Sequence, residues 1–208
     1  MHSNCPIVLH GLTMADLLHH LIGTHSAPTT LIVCSSRDLF EHQLLHALGG
    51  SLLTPTLHLL KSTLTIRLVF CPSLEALRAH LALYNAQSGI LCVLNMLALH
   101  RDTTSFSAQG LSRTLAIAVE AAARRGQKLV MSECPGPSDS TVEEDPWSEQ
   151  LSILNVTTKS FGVGSRGWAG RTVSARAVAE RWCSFERYQG PEKEHVASWA
   201  TQRTVSTS

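Results

Sequence analysis

Charge is scarce in this chain, and the glycine loops that cradle phosphate are missing from the places where a nucleotide fold carries them. Charged residues make up 16% of the 208 residues, against 44% apolar ones, and the formal net charge is +1. A chain so close to neutral is not drawn to nucleic acid as a whole. The apolar share predicts a folded chain with a real core, and the length suits one domain with a small appendage. Low charge density also points to surface that a partner covers.

No GxxxxGK[ST] string occurs, so the lysine that would reach the outer phosphates of a nucleotide is missing. After the first apolar run the chain offers "HGLTMADLL", with one glycine, no lysine, and Asp16 where an anion would be repelled. The Lys-Ser pair Lys61–Ser62 has no glycine loop before it. "GVGSRG" (Gly162–Gly167) fits GxGxxG but does not stand between a strand and a helix, so a tight loop is expected there. No GxSxG or HExxH string occurs. The six cysteines stand apart, without CxxC spacing, and Cys34, Cys71 and Cys92 fall in or beside apolar runs, where a thiol acts as a small hydrophobe. His42 and His46 have metal-compatible i, i+4 spacing but no third ligand in view, so they are expected as surface or partner-facing histidines. Asp38 and Glu41 suit a helix start, and Asp102 has no partner base. We therefore expect no catalytic residue, no metal and no cofactor. No apolar run reaches 18 residues, and the N-terminus lacks a basic stretch followed by an apolar one. The expectation is no signal peptide, no membrane span, a reducing compartment, and a nuclear or cytoplasmic location.

What is present is alternation. "PIVLH" (Pro6–His10), "TTLIVCS" (Thr29–Ser35), "TIRLVFC" (Thr65–Cys71), "GILCVLN" (Gly89–Asn95) and "KLVMS" (Lys128–Ser132) read as strands. Helical segments separate them. "TMADLLHHLIG" opens with Thr13 and Asp16 in a capping-box-like pair. "SRDLFEHQLLHALGG" sets Phe40, Leu44 and Leu48 on one face, and Leu74, Leu77, Leu81 and Tyr84 form a stripe after Pro72 and Ser73. "LSRTLAIAVEAAARRG" follows the polar loop "HRDTTSFSAQG". This order predicts an α/β fold with a mostly parallel sheet flanked by helices. Residues 1–133 make that core. Residues 134–149 read as an acidic flexible loop, and 150–189 as a β element in which "QLSILNV" and "GRTVSARAVAERWCSFE" form an antiparallel strand pair. Residues 190–208 read as a tail.

Two features suit a binding role. The first helix carries more apolar side chains than its short length suits, so Leu17 and Leu21 are candidate partner-interface residues. Charge is also unevenly distributed: Glu133–Gln150 holds six acids and no base, whereas Lys159–Arg187 holds six bases and two acids. Arg166, Arg171, Arg176 and Arg181 could contact phosphate, or could be solvated or paired with the neighbouring acids. Their five-residue spacing alternates faces on a strand and gives no single stripe. Trp168 and Trp182 nearby are expected to pack rather than stack on bases.

The run "ILCVLNMLALHRDTTSFSAQGLSRTLAIAVEAAARRGQKLVMSE" resembles the ATPase core of RecA-like recombinases and their paralogs, and "TLIVCSSRDLFEHQLLHAL" resembles the strand and helix after their P-loop unit. Together they span about residues 29–133. Where that family places its magnesium-positioning acid, this chain has Leu94 and Asn95. The resemblance implies a RecA-like fold that has lost its nucleotide, a pseudo-ATPase similar to the inactive paralogs of the Shu complex. Those assist recombinase filaments in homologous-recombination DNA repair. It implies a nuclear protein with a SWIM-type zinc protein or another RecA-like paralog as partner, and single-stranded DNA as a possible ligand. In that family the loop His100–Gly110 would face DNA, with Arg101 as its one base. An accessory subunit of the Elongator tRNA-modification complex has similar losses and stays open as an alternative, as does a small α/β enzyme of unseen activity.

Overall fold

Five apolar runs become strands β1 (Ile7–His10), β2 (Thr29–Val33), β3 (Ile66–Phe70), β4 (Ile90–Leu94) and β5 (Lys128–Ser132) in the computed structural model. It describes residues 5–24, 28–48, 64–86, 89–134, 145–154 and 171–189. The helices are α1 (Met14–Thr24), α2 (Arg37–Leu48), α3 (Leu74–Ala82), α4 (Met96–Arg101), α5 (Ala108–Ala123) and α6 (Ala175–Ala179). Three short strands complete the set: β6 (Gln150–Ser152), β7 (Thr172–Ser174) and β8 (Ser184–Arg187). The sheet has six strands in the order β3-β2-β4-β5-β1-β8, and every neighbouring pair is parallel.

That order explains the helix layers. Parallel crossovers are right-handed, so the direction of travel along the sheet decides which face receives the helix. From β1 to β2 to β3 the chain steps toward one edge. From β3 it turns back to β4 and β5. Accordingly α1 and α2 pack together on one face, while α3, α5 and α6 pack on the other. The first face buries Leu12, Met14, Leu17, Leu21 and Phe40 against Leu31, Val33, Cys92 and Leu94. The second buries Leu74, Leu77, Leu81, Leu111 and Leu115 against Ile32, Leu91, Val93 and Met131. Successive residues of β4 thus enter opposite cores, which is why that run is apolar without alternation.

The expected stripe of Leu74, Leu77, Leu81 and Tyr84 is buried, and Ser73 caps α3 by accepting from the Ala76 N–H at 3.2 Å. On α2 Phe40 is buried and Leu44 packs beside it. Three expectations are corrected. A helix, α4, follows β4 directly and takes in His100 and Arg101, which read as the start of the polar loop. Helix α5 starts at Ala108, capped by Ser107, inside what read as polar loop. The C-terminal element is mixed rather than all β: β6 and β7 do form an antiparallel pair, but α6 follows, and β8 joins the main sheet parallel to β1, with Val8 opposite Phe185. The N–H of Ser184 donates to the Pro6 carbonyl and that of Tyr188 to the His10 carbonyl, which fixes this register. No described helix is long and apolar enough to cross a membrane.

Candidate functional site

In doubly wound sheets, ligand crevices open at the carboxyl ends of adjacent strands whose following helices lie on opposite faces. Here β1 leads to α1 on one face, while its neighbour β5 is followed in the chain by α6 on the other. Strands β2 and β4 diverge in the same way toward α2 and α4. The residues at this edge are Gly11, Cys34, Asn95 and Ser132–Cys134.

Gly11 turns the chain out of β1 with φ +75, in the region that favours glycine. The start of α1 is then closed from within. The Asp16 carboxylate accepts the Thr13 backbone N–H at 3.0 Å and its hydroxyl at 2.7 Å, and the Thr13 Oγ1 accepts the Asp16 N–H at 3.2 Å. This reciprocal capping box places a negative charge where a helix start would otherwise attract a phosphate.

At the ends of β4 and β5 the closure is tighter. Asn95 sits in the left-handed region, φ 60 and ψ 39, a conformation its short polar side chain tolerates. Its N–H donates to the Ser132 carbonyl at 2.9 Å, and its Oδ1 accepts the Cys134 N–H at 2.8 Å. From the other strand, Glu133 reaches back. Its carboxylate accepts the Leu97 N–H at 2.6 Å and the Ala98 N–H at 3.2 Å. Glu133 is 7% exposed, and burial pushes its carboxyl up to about 7, against the opposing pull of the α4 amides and of Arg101. In the sequence Glu133 reads as the first acid of a solvated loop. Its only signal was its place directly after an apolar strand and before Cys134.

A second buried network was not visible in the sequence. His100 is fully buried, with Nε2 3.0 Å from Thr114 Oγ1 and Nδ1 3.3 Å from the Ser105 carbonyl. Burial lowers the imidazole to about 4, so it is neutral near pH 7. Arg78 joins the same network from α3, with Nε donating to Thr114 Oγ1 at 3.0 Å. Gly110 leaves room for the chain here, since a Cβ at this position would strike the Ser105 carbonyl oxygen.

The arginines expected to meet phosphate are not gathered together. Arg101 pairs with Glu149 at 3.0 Å. Arg176 pairs with Glu180 at 2.9 Å and Asp145 at 3.9 Å, and its guanidinium lies 4.6 Å from the Phe185 ring centroid. Phe185 in turn meets the buried Trp147 edge-on. For these two arginines, pairing with the nearby acids is the reading that holds, and it ties the acidic segment to α4 and α6. Arg171 and Arg181 are exposed and have no ion pair among the described residues. Arg166 and Trp168 lie outside the described residues. Trp182 is half-buried, and its indole N–H donates to Ser112 Oγ at 3.2 Å, a packing role.

Leu17 and Leu21 are not at the surface. They are 0% and 1% exposed, inside the core between α1 and the sheet, so the interface expected there is corrected. The 3.6-residue period that puts Leu17 and Leu21 on one face turns that face inward. Large apolar side chains are instead exposed at Leu39 and Leu45 on α2 and at Leu64 and Leu68 around β3. Strand β3 ends the sheet among the described residues. His42 and His46 are both exposed on α2. The described cysteines are all free, and only Cys5 is exposed.

A family described as SPAC22G7.03-like matches the chain over residues 4–207. No curated protein matches it significantly.

Proposed function

We propose, for a chain that belongs to the SPAC22G7.03-like family, a non-catalytic role: a RecA-like scaffold subunit of a Shu-type recombination-mediator complex. In this reading it is a nuclear pseudo-ATPase that works through protein contacts and assists recombinase filaments in DNA repair. The observation that carries it is the state of the crevice. The helix start that would face a phosphate is capped by Asp16, and the position of a magnesium-binding acid is Asn95, whose side chain is engaged by Cys134. A magnesium-bound triphosphate does not fit such a donor set, because charge neutralisation and metal placement both need groups that are missing from the crevice among the described residues.

The parallel, doubly wound sheet is consistent with the RecA-like resemblance, and the solvent-facing leucines of α2 and β3 support a protein partner. Of the arginines expected to meet single-stranded DNA, only Arg171 and Arg181 stay unpaired among the described residues, which supports only a weak contact through them. The test is affinity purification of the full chain from cells with its partners identified. A recombinase together with a SWIM-type zinc protein or a RecA-like paralog is the expected result. Elongator subunits, or no stable partner, would contradict it.

A further inference from the structure

Between α3 and the start of α5 lies a pocket of about 190 Å³, lined by Arg78, Ser105, Gln109, Gly110 and Arg113. Two guanidinium groups border it and, among the described residues, no carboxylate does. Arg78 is held in place: its Nε donates to Thr114 Oγ1 at 3.0 Å and its Nη2 to the Gly110 carbonyl at 3.1 Å. Those bonds fix the plane of the fork and leave the Nη1 hydrogens unused among the described residues. Arg113, one turn into α5, is exposed and makes no hydrogen bond or ion pair with any described residue.

Holding two like charges beside one small cavity is unfavourable unless an anion neutralises them. Burial and the charge of Arg113 both depress the Arg78 guanidinium, and only Glu75, exposed and outside the lining, acts the other way. Three amides at the start of α5 are already engaged. Gln109 N–H donates to the Ile153 carbonyl at 3.3 Å, Gly110 N–H to Ser107 Oγ at 3.1 Å, and Leu111 N–H to the Ser107 carbonyl at 2.9 Å. The donors the pocket offers are therefore side chains, and they match a group with several acceptor oxygens.

We propose that this pocket binds a dianionic phosphomonoester group, clamped by Arg78 and Arg113 with the Ser105 hydroxyl and Gln109 amide as further donors. Two positive charges balance the charge of a phosphomonoester, about −1.5 to −2 near pH 7, better than the single charge of a nucleic-acid diester or a carboxylate. The volume admits one such group rather than a run of backbone. The group could arrive as a small free phosphate or on a phosphorylated side chain of a partner protein. This inference does not depend on the recombination reading.

The experiment is calorimetric titration of the full chain at constant ionic strength. The ligands are inorganic phosphate, a phosphoserine peptide, the same peptide unphosphorylated, and an oligonucleotide without terminal phosphate. Arg113→Gln and Arg113→Lys are titrated alongside. Arg113 is exposed, so both variants should keep the wild-type melting temperature without ligand. The expected result is phosphate-dependent binding that weakens at least about tenfold in Arg113→Gln and less in Arg113→Lys, as loss of a charge-assisted hydrogen bond requires. Binding of inorganic phosphate as well as the phosphopeptide would identify a free-phosphate site, and binding of the phosphopeptide alone a protein-borne group. The same affinity in Arg113→Gln, an equal response to sodium chloride, or preferred binding of the oligonucleotide would overturn the proposal.

Discussion

Asn95 and Cys134 join the carboxyl ends of two adjacent parallel strands through one side-chain bond, Oδ1 to backbone N–H, at 2.8 Å. Both residues are buried. The bond occupies the place where a nucleotide-binding strand would present an acid, and it turns that place into a structural clasp.

Removing the clasp has a distinctive signature. Asn95→Ala leaves the Cys134 N–H without its partner and puts alanine in the left-handed region, whereas Asn95→Gly loses only the bond. An orphaned buried donor costs about 1–3 kcal/mol, and a non-glycine residue in that region about 1 kcal/mol more. We expect both variants to be destabilised in urea unfolding, with alanine the worse of the two. Equal stability of wild type and Asn95→Gly would show that the bond contributes nothing.

Two buried groups give opposing pH dependences. Glu133, raised from an ordinary 4.5 to about 7 by burial, binds more protons folded than unfolded between those values. Its contribution is present below about 4.5 and is lost as pH rises through about 7. His100, lowered from 6.5 to about 4, behaves in the reverse sense. Its contribution is present above about 6.5 and is lost as pH falls through about 4. From pH 5 to 6.5 the two offset each other, each bounded by about 3 kcal/mol. Glu133→Gln should expose the histidine alone, so that the urea midpoint rises with pH across this range more steeply than in wild type. Identical slopes in the two proteins would contradict the assignment.

The arginines should divide into two groups. Reversing Arg171 and Arg181 to Glu should weaken single-stranded DNA binding and flatten its logarithmic salt dependence by about 1.4, at about 0.7 per phosphate contact. Folding should be unchanged. Reversing Arg176 instead places a third acid beside Glu180 and Asp145 and should lower thermal stability, by an amount of order 1 kcal/mol for so exposed a cluster. If the Arg171 and Arg181 reversals leave DNA affinity unaltered, the protein does not bind DNA through these residues.

The strands of the core were legible because burial on both faces writes continuous apolar runs, as in β4, whose five residues are all buried. Lys128–Ser132 is read to the residue for the same reason. The six-residue helix α4 was not legible, because Met96 and Leu97 continue the apolar run of β4 and the turn between them rests on the backbone of Asn95 alone. Nor was β8: only four residues long and mostly exposed, it takes its direction from β1, which lies far away in sequence. Leu17 and Leu21 were placed on the wrong side because Leu18 and Ile22 flank them, and composition cannot say which stripe of α1 meets the sheet. At the candidate site, the missing lysine and acid could be read directly. The buried roles of Glu133 and His100 could not, since a carboxylate at a loop start and a histidine at a helix end look solvated until the contacts across strands and helices are known.

Calorimetric titration of the purified chain with Mg-ATP tests the central claim most directly. With Asp16 capping α1 and Asn95 clasped to Cys134, the account predicts no heat of binding and no hydrolysis. Saturable binding with a micromolar dissociation constant would mean that the crevice opens to accept nucleotide, and would contradict it.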